Sequence, residues 1–451
     1  MTGVQTCALP ISKKYIKQLG EVFLTINPIN KTSQKNYSNI LDNADSILNG
    51  NVLYYSFHLI NVGQTPNWFL NPFNGESYKN HNEHWAKLGD FNPYIGDIKN
   101  IWELSRFNWI GTLACAYKIT HDDTYLNKIN DWIKDWLEKN PPNTGPNWYC
   151  GQEASIRAIN ILLANEMIVS DEVSSDLVNL LITHIERITP TTFYAKAQDN
   201  NHGLSEGIAL YLLGHFLWKE TNEQKYKNLH NKGLKLIENR IQKLIMDDGT
   251  FSQYSIVYHR MVLDLLSVLE IFKQKWNLGS FSDAFYVKSK LAIDWYSEMI
   301  DPQTGNAPNM GANDGTYLFN FDQKEYRDFR PSLVLASSLF NASINRTIEA
   351  DHCLLNIFSL SPNFVIKKKK PMSKVFFDGG YLKLVRKNGM ALLRAPKYLF
   401  RPSHSDALHI DIWQDGINWI RDAGSFSYAI NSHELDTFSG TRGHSTIQFD
   451  N

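Results

Sequence analysis

The sequence predicts a multidomain α + β protein, with paired helices around a common core, as a toroid or bundle, followed by the first portion of an antiparallel β-sandwich. Three observations carry this. From about residue 36 to 360, apolar residues recur at three- and four-residue spacing, the period of helices that bury one face. After "SPNFVIKKKKP" the pattern changes to short β-rich runs divided by tight turns. No fixed-length repeat links the helices, so a solenoid is not expected.

Along the chain, the opening "MTGVQTCALPI" resembles a translated sequencing adapter. Residues 1–11, Cys7 included, are therefore expected to carry no biology, and the chain reads as a fragment truncated at both ends. A signal-peptide reading of Val4 to Ile11 lacks the positive residues that should precede such an apolar core. Residues 12–360 form the helical domain, with helices in "DIKNIWELSRFNWIGTLACAYKIT", "TYLNKINDWIKDWLEK", "EASIRAINILLANEMI", "LSEGIALYLLGHFLWKE" and "YHRMVLDLLSVLEIFK". Breaks such as "HDD", "PPNTGP", "DDGT" and "DPQTGN" separate them. Residues 361–372 read as a linker whose lysine run at 367–370 is solvated. In 373–451, "KVFFDGGYLKLVRKNGMALLRAPKYLF" gives strands about the turn "KNGM", and "LHIDIWQDGINWIRDAGSFSYAI" repeats the plan about "QDG". "STIQFDN" reads as part of a strand, so the sandwich is expected to be incomplete, with an unpaired edge.

Composition excludes several classes. A net charge of −1 gives no global reason to expect nucleic-acid or membrane binding. No apolar stretch approaches the roughly 20 residues of a membrane-spanning helix. Cys7, Cys115, Cys150 and Cys353 lie far apart without metal spacing and read as reduced structural thiols.

The chemistry concentrates in three stretches, "NWYCGQEASIRA" (147–158), "DNNHGLSEG" (199–207) and "DDGTFSQYSIVYHR" (247–260). Asn200, Asn201, His202 and Glu206 stand at the mouth of a helix that is apolar nearly all round, hence buried. Buried polar groups need partners, and a substrate is one kind of partner. Tyr254 and Tyr258 are four residues apart and are expected to share a helix face that Met261 continues. An amide and an imidazole beside a phenol fit β-elimination at a uronic acid. The carboxylate must be neutralised before the C5 proton can leave. A base must take that proton and an acid must protonate the leaving oxygen, and tyrosine serves in both roles.

The order "DIKNIWELSRF", "GQEASIRA", "NNHGLSEG", "DGTFSQYSIVYHR", "RPSHSDALHIDIW", "RDAGSFSY" and "GHSTIQFD" resembles the heparinase II/III family of polysaccharide lyases, across roughly residues 50 to 451. The resemblance implies an (α/α) toroid followed by an antiparallel β-sandwich. It implies that Asn201 and His202 neutralise the uronate carboxylate, that Tyr258 is base and acid, and that Glu206 orients or tunes His202. Arg106, Gln152 and Tyr254 are expected to contact substrate, and Tyr428 to add a phenol from the sandwich. No organic cofactor is expected. A periplasmic or secreted location is implied by resemblance only.

"RPSHSDALHIDIW", taken as a strand, places His404, Asp406, Leu408, Ile410 and Ile412 on one face, where the histidine and aspartate need partners. Asp422 and His444 supply them if three strand ends converge, either as a hydrogen-bonded cluster or as a zinc site. The resemblance favours a structural zinc on His404, Asp422 and His444 that holds the sandwich against the toroid. One departure stands out. Pro402 occupies the first position of the His-x-His-x-Asp motif that many family members carry, so the resemblance does not supply a second catalytic histidine and fits exopolysaccharide-associated variants better than heparin-degrading ones.

Two other readings compete. A glycoside hydrolase would recruit carboxylates among Glu153, Glu206 and Asp314, though Asp314 reads more simply as a turn cap. A non-catalytic glycan-binding or polymer-assembly protein would use Trp68, Trp85, Trp102, Trp109 and Trp148 for sugar stacking, where the simpler reading is helical core.

Overall fold

The computed structural model describes residues 20–24, 37–89, 94–168, 172–301, 303–321, 324–344, 352–361, 363–366, 372–425, 427 and 437–448. The chain falls into two compact units. One takes in the chain to Tyr54, His58–Gln198 and Ser205–Lys235; the other takes in Tyr55–Phe57, Asp199–Leu204 and everything from Leu236. The helical region thus contributes to both units, and the division does not follow the change of period near 361–372.

The first unit is built from Ser38–Leu48, Lys99–Ser105, Asn108–Thr120, Asp123–Lys139, Gly151–Ile168, Ser175–Ile188 and Thr192–Ala197. "DIKNIWELSRFNWIGTLACAYKIT" forms two helices rather than one, because Phe107 adopts a left-handed backbone (φ 64°) between them. Asp122 and Ser174 cap the helices that follow them through side-chain acceptors. The core is tryptophan-rich. Trp68, Trp109, Trp132, Trp136 and Trp148 are buried, so three of the five tryptophans weighed for sugar stacking are packing residues. Arg157 lies among them, fully buried, 4.5 Å from the Trp136 ring and 5.0 Å from Trp148. Its guanidinium donates to the Ser105 and Asn147 carbonyls and to His184 Nε2, which satisfies the buried charge. The helical period is interrupted early by a hairpin, Asn51–Tyr54 with His58–Asn61. The stretch from 62 to 97 that follows contains Pro66 and Pro72, and its described residues hold a single short helical turn, the 3₁₀ turn Trp85–Lys87.

The second unit contains Ile256–Lys275, Asp283–Met299, Arg330–Leu339 and Cys353–Ile357, a two-strand parallel pair (Ser343–Ile344 with Val365–Ile366), and one five-stranded sheet. The sheet runs Lys374–Phe376, Tyr381–Arg386, Gly389–Arg394, Ile410–Gln414 and Ile417–Ile420, each strand antiparallel to the next in sequence. The turns are those the sequence predicts, with Lys387 and then Asp415 and Gly416 at positive φ. Register decides the faces. Tyr381 opposes Arg394, and Lys383, Leu392 and Asp411 line up on one buried face, while Leu384 and Ile410 are exposed on the other. Lys383 reaches the Glu298 carboxylate at 2.8 Å, fastening the sheet to the helix Asp283–Met299.

This corrects the strand expected over "RPSHSDALHIDIW". The strand begins only at Ile410, because Leu408 is left-handed (φ 62°) and the His409 N–H turns back to the Asp406 carbonyl. His404 and Asp406 therefore sit in a loop and do not share a strand face with Ile410 and Ile412. Asp406 instead takes hydrogen bonds from Arg394 Nε (3.3 Å) and the Tyr398 hydroxyl (3.1 Å).

Candidate functional site

The helix Asn201–Thr221 begins where the polar cluster predicts. Asn200 caps it, its side-chain oxygen accepting the His202 N–H at 3.0 Å. Ahead of the cap, Asp199 is left-handed and is tied by Arg240 and Lys243, each at 2.7 Å. The Asp199 carbonyl takes the Ser252 hydroxyl, and the Asn201 N–H donates to Gln253 Oε1 at 3.0 Å. These contacts dock the helix mouth onto the segment 252–253. Asn201 is buried, its Nδ2 3.2 Å from Met261 Sδ, and His202 is half-buried.

Tyr258 and Met261 stand three residues apart on the helix Ile256–Lys275, so the Asn201 amide lies against the helix face that carries Tyr258. Ser255 starts that helix by accepting the Tyr258 N–H at 3.2 Å. Tyr254 falls outside it, at φ 53°, which overturns the shared helix face expected for Tyr254 and Tyr258. Its buried ring lies 4.5 Å from the Arg394 guanidinium carbon, and its hydroxyl accepts the Phe400 N–H. A methyl group at Gly311 (φ 66°) would run into the Tyr254 carbonyl, so only glycine allows the loop 309–316 to approach this closely. The Ser255 hydroxyl closes onto the Ala312 carbonyl at 2.6 Å. The loop then presents Asp314, whose Oδ2 accepts the Tyr258 hydroxyl at 2.9 Å while Oδ1 accepts the Thr316 N–H at 3.1 Å. The turn-capping role read from sequence is present, and a contact to the phenol comes with it.

Glu206, on the same helix as Asn201 but in the first unit, is buried with Oε2 lacking a hydrogen-bond partner among the described residues. Burial pushes its carboxyl up to about 8, opposed by the positive charges of Arg187 and Lys232. Gln152 is buried and accepts the Ser205 hydroxyl. Arg106 spends its guanidinium on two carboxylates, Glu153 at 2.6 and 2.9 Å and Glu103 at 2.8 Å. Glu153 is thereby engaged in an ion network, which argues against its use as a hydrolytic acid. Burial pushes the nearby Cys150 thiol up to about 12, consistent with an unreactive cysteine, and Cys115 and Cys353 are buried.

His404, Asp422 and His444 come together, with one ligand-capable atom from each lying within 4.8 Å of the others. His444 Nδ1 faces Asp422 Oδ2 at 2.9 Å, and Asp422 Oδ1 accepts the Gly424 N–H at 2.7 Å. His404 Nε2 meets the Ser425 hydroxyl at 2.9 Å. That leaves His404 Nδ1 and His444 Nε2 buried and without partners among the described residues. Burial holds His404 below the usual imidazole value, with Asp422 opposing. Two imidazole nitrogens left open beside a carboxylate are a donor set that suits a divalent metal.

Of the residues singled out from sequence, Asn201 lies against the helix face of Tyr258, and His404, Asp422 and His444 come together; the connection through Asp314, Asn313 and Ser425 was not anticipated. The Asn313 N–H donates to Ser425 Oγ at 3.2 Å, so the loop bearing Asp314 is continuous by hydrogen bonds with His404. The only signal in the sequence was the polar run "NDGT". Tyr428 lies outside the described residues.

With this geometry and a helix-rich region followed by an antiparallel sheet, the chain is of the (α/α) toroid and β-sandwich class. Residues 14–330 match the model described as "Heparinase II/III N-terminus", and residues 368–451 match "Heparinase II/III-like, C-terminal". The chain belongs to the heparinase II/III family. It is 26% identical over 199 residues to a heparin-sulfate lyase of Bacteroides thetaiotaomicron, covering 43% of this chain and 26% of that protein. The crystal structure of a heparinase III is similar over 96% of this chain and 65% of its own, at 17% identity and a TM-score of 0.57. That of a mutant heparan sulfate lyase from Pedobacter heparinus is similar over 93% and 60%, at 18% identity and a TM-score of 0.50. The chain therefore spans about a quarter of the curated relative and under two thirds of these solved ones.

Proposed function

We propose that this protein is a polysaccharide lyase that cleaves a uronic-acid-containing polymer by β-elimination. The observation that supports this most directly is the Asn201 amide, buried against the helix face that carries Tyr258. In this reading Asn201 and His202 neutralise the uronate carboxylate, which makes the C5 proton acidic enough to remove. Tyr258 takes that proton and returns one to the leaving oxygen. Glu206, held protonated by burial near neutral pH, adds an uncharged acid on the same helix. Substrate contacts are assigned to Gln152, Arg106 and Tyr254, of which Arg106 is ion-paired to Glu153 and Tyr254 accepts the Phe400 N–H.

Zinc is the metal we assign to His404, Asp422 and His444, on the fit of two open imidazole nitrogens and a carboxylate. Bound there, it would supply structural cross-linking of the loop 402–409, the segment after Ile420 and the segment 437–448. Glycosaminoglycans are one substrate class, supported by the printed activities of the relatives. Bacterial uronate exopolysaccharides are the other, supported by Pro402 in place of a histidine. A charged polymer does not cross a membrane, which supports a periplasmic or secreted location. No described helix is long and apolar enough to span one.

The test is a panel of glycosaminoglycans, alginate and uronate exopolysaccharides, followed by ultraviolet absorbance of a new C4–C5 double bond. Turnover on at least one polymer, lost by roughly 10²-fold or more in Y258F with binding retained, is the expected result. Equal turnover in Y258F would remove the tyrosine from the mechanism.

A further inference from the structure

The phenol assigned as base and acid carries a difficulty that the fold itself addresses. A free tyrosine is a phenol near neutral pH, ordinarily ionising at about 10, and a neutral phenol is a poor base. Tyr258 does not stand free. Its hydroxyl donates to Asp314 Oδ2 at 2.9 Å, so the proton is directed at a carboxylate and the oxygen lone pairs are turned elsewhere. Asp314 is fixed in turn by the Thr316 N–H on its other oxygen. The loop that holds it is pinned at Ala312 by Ser255 and Ser403, and at Asn313 by Ser425 and the Tyr326 hydroxyl. A carboxylate held by four such anchors is placed more firmly than a turn cap requires.

We propose that Asp314 is a positioning residue for Tyr258 and the temporary holder of its proton, so that elimination proceeds without a free phenolate. This rests on the lyase reading above. As the C5–H bond breaks, its proton passes to the Tyr258 oxygen while the phenol's own proton moves to Asp314 Oδ2. The C–H electron pair becomes the C4–C5 π bond, and the C4–O bond breaks with its pair on oxygen. Tyr258 protonates that oxygen while the proton on Asp314 moves back to the tyrosine oxygen, so no free phenolate forms at either end. Atoms and charge balance, and no external acid or base is consumed. One residue can thereby serve both ends of the elimination.

Two measurements test this. In the first, kcat and KM are compared for wild type, D314N, D314A and D314E on the polymer that the panel identifies. The expected result is a kcat lower by roughly 10²-fold in D314N and D314A, with KM within about twofold and partial recovery in D314E. A rise in KM with kcat unchanged would overturn it, because a loop that merely shapes the cleft would behave so.

The second does not depend on turnover. The ultraviolet difference between a protein and its Y258F counterpart, followed with rising pH, isolates ionisation of this phenol. Among the described residues, the charged or titratable groups held to the loop are Arg260, whose guanidinium holds the Thr316 and Tyr326 carbonyls, Tyr326 itself, and Arg327 on Asn306 and Asn309. All are unchanged in the variants. Removing the carboxylate in D314N should bring the Tyr258 ionisation to lower pH, since a neighbouring negative charge disfavours phenolate. Identical titration in wild type and D314N would overturn the pairing. If the titration shifts while no polymer gives the unsaturated product, the pairing stands and the lyase reading fails.

Discussion

Two buried clusters of charged and polar side chains differ in one respect that separates scaffold from site. In the first unit, Arg106, Glu103 and Glu153 form an ion network in which three short contacts join one guanidinium to two carboxylates. In the second unit, His404, Asp422 and His444 are equally buried, yet two imidazole nitrogens face no partner among the described residues. Burial alone therefore says little about function. A set of side chains that answers its own hydrogen-bonding needs is explained by the fold, while one that leaves aligned donor atoms open implies a ligand.

The contrast can be broken in order of effect. Replacing Arg106 by Leu should destabilise the fold by about 3–5 kcal/mol, because two buried carboxylates lose their countercharge. Metal content per folded protein should stay unchanged. Chemical denaturation with metal analysis checks both, and a neutral R106L would mean the network is incidental.

Glu206 tests the intermediate case, a buried carboxyl with charged neighbours and an open oxygen. Its folded value of about 8 lies above the ordinary carboxylate value of 4.5, so the folded state holds an extra proton between them. Its contribution to stability is therefore present below about 4.5 and is lost as pH rises toward 8. E206Q should flatten that decline and be the more stable protein at the alkaline end, by on the order of a few kcal/mol. Parallel stability–pH curves for the two proteins would contradict the assignment.

The open cluster is probed by zinc. At about 100 times its Kd, zinc should raise the stability of the wild type by roughly 2.7 kcal/mol and leave H404A unmoved. Equal thermal shifts in both would place the metal elsewhere. A gentler change, S425A, removes the hydroxyl between Asn313 and His404 and should weaken zinc binding by roughly 10-fold without abolishing it. Calorimetric titration distinguishes that from no change, which would detach Ser425 from the site.

What the sequence made legible was set by local rules. Helical periodicity, the turns at Lys387 and Asp415–Gly416, and the polar helix mouth at Asn200–His202 all follow from neighbours a few residues apart. Where the expectation failed, a backbone conformation unusual for the side chain was the cause. Leu408 in the left-handed region keeps the strand from forming before Ile410, and Tyr254 at φ 53° stays outside the helix whose face it was expected to share with Tyr258. Nothing in a leucine or tyrosine announces positive φ, because tertiary contacts impose it. Asp314 was seen as a turn cap because that role is local. Its bond to Tyr258 spans 56 positions and becomes visible only when the loop is folded against the helix.

The most direct test of elimination is digestion of the responsive polymer in water enriched in heavy oxygen, with the new chain ends weighed by mass spectrometry. β-Elimination cleaves the bond without adding water. The expected products are therefore lighter by one water than hydrolysis would give, with no heavy oxygen at the new ends. Incorporation of heavy oxygen at a saturated reducing end would show hydrolysis and contradict the roles assigned to Asn201, His202 and Tyr258.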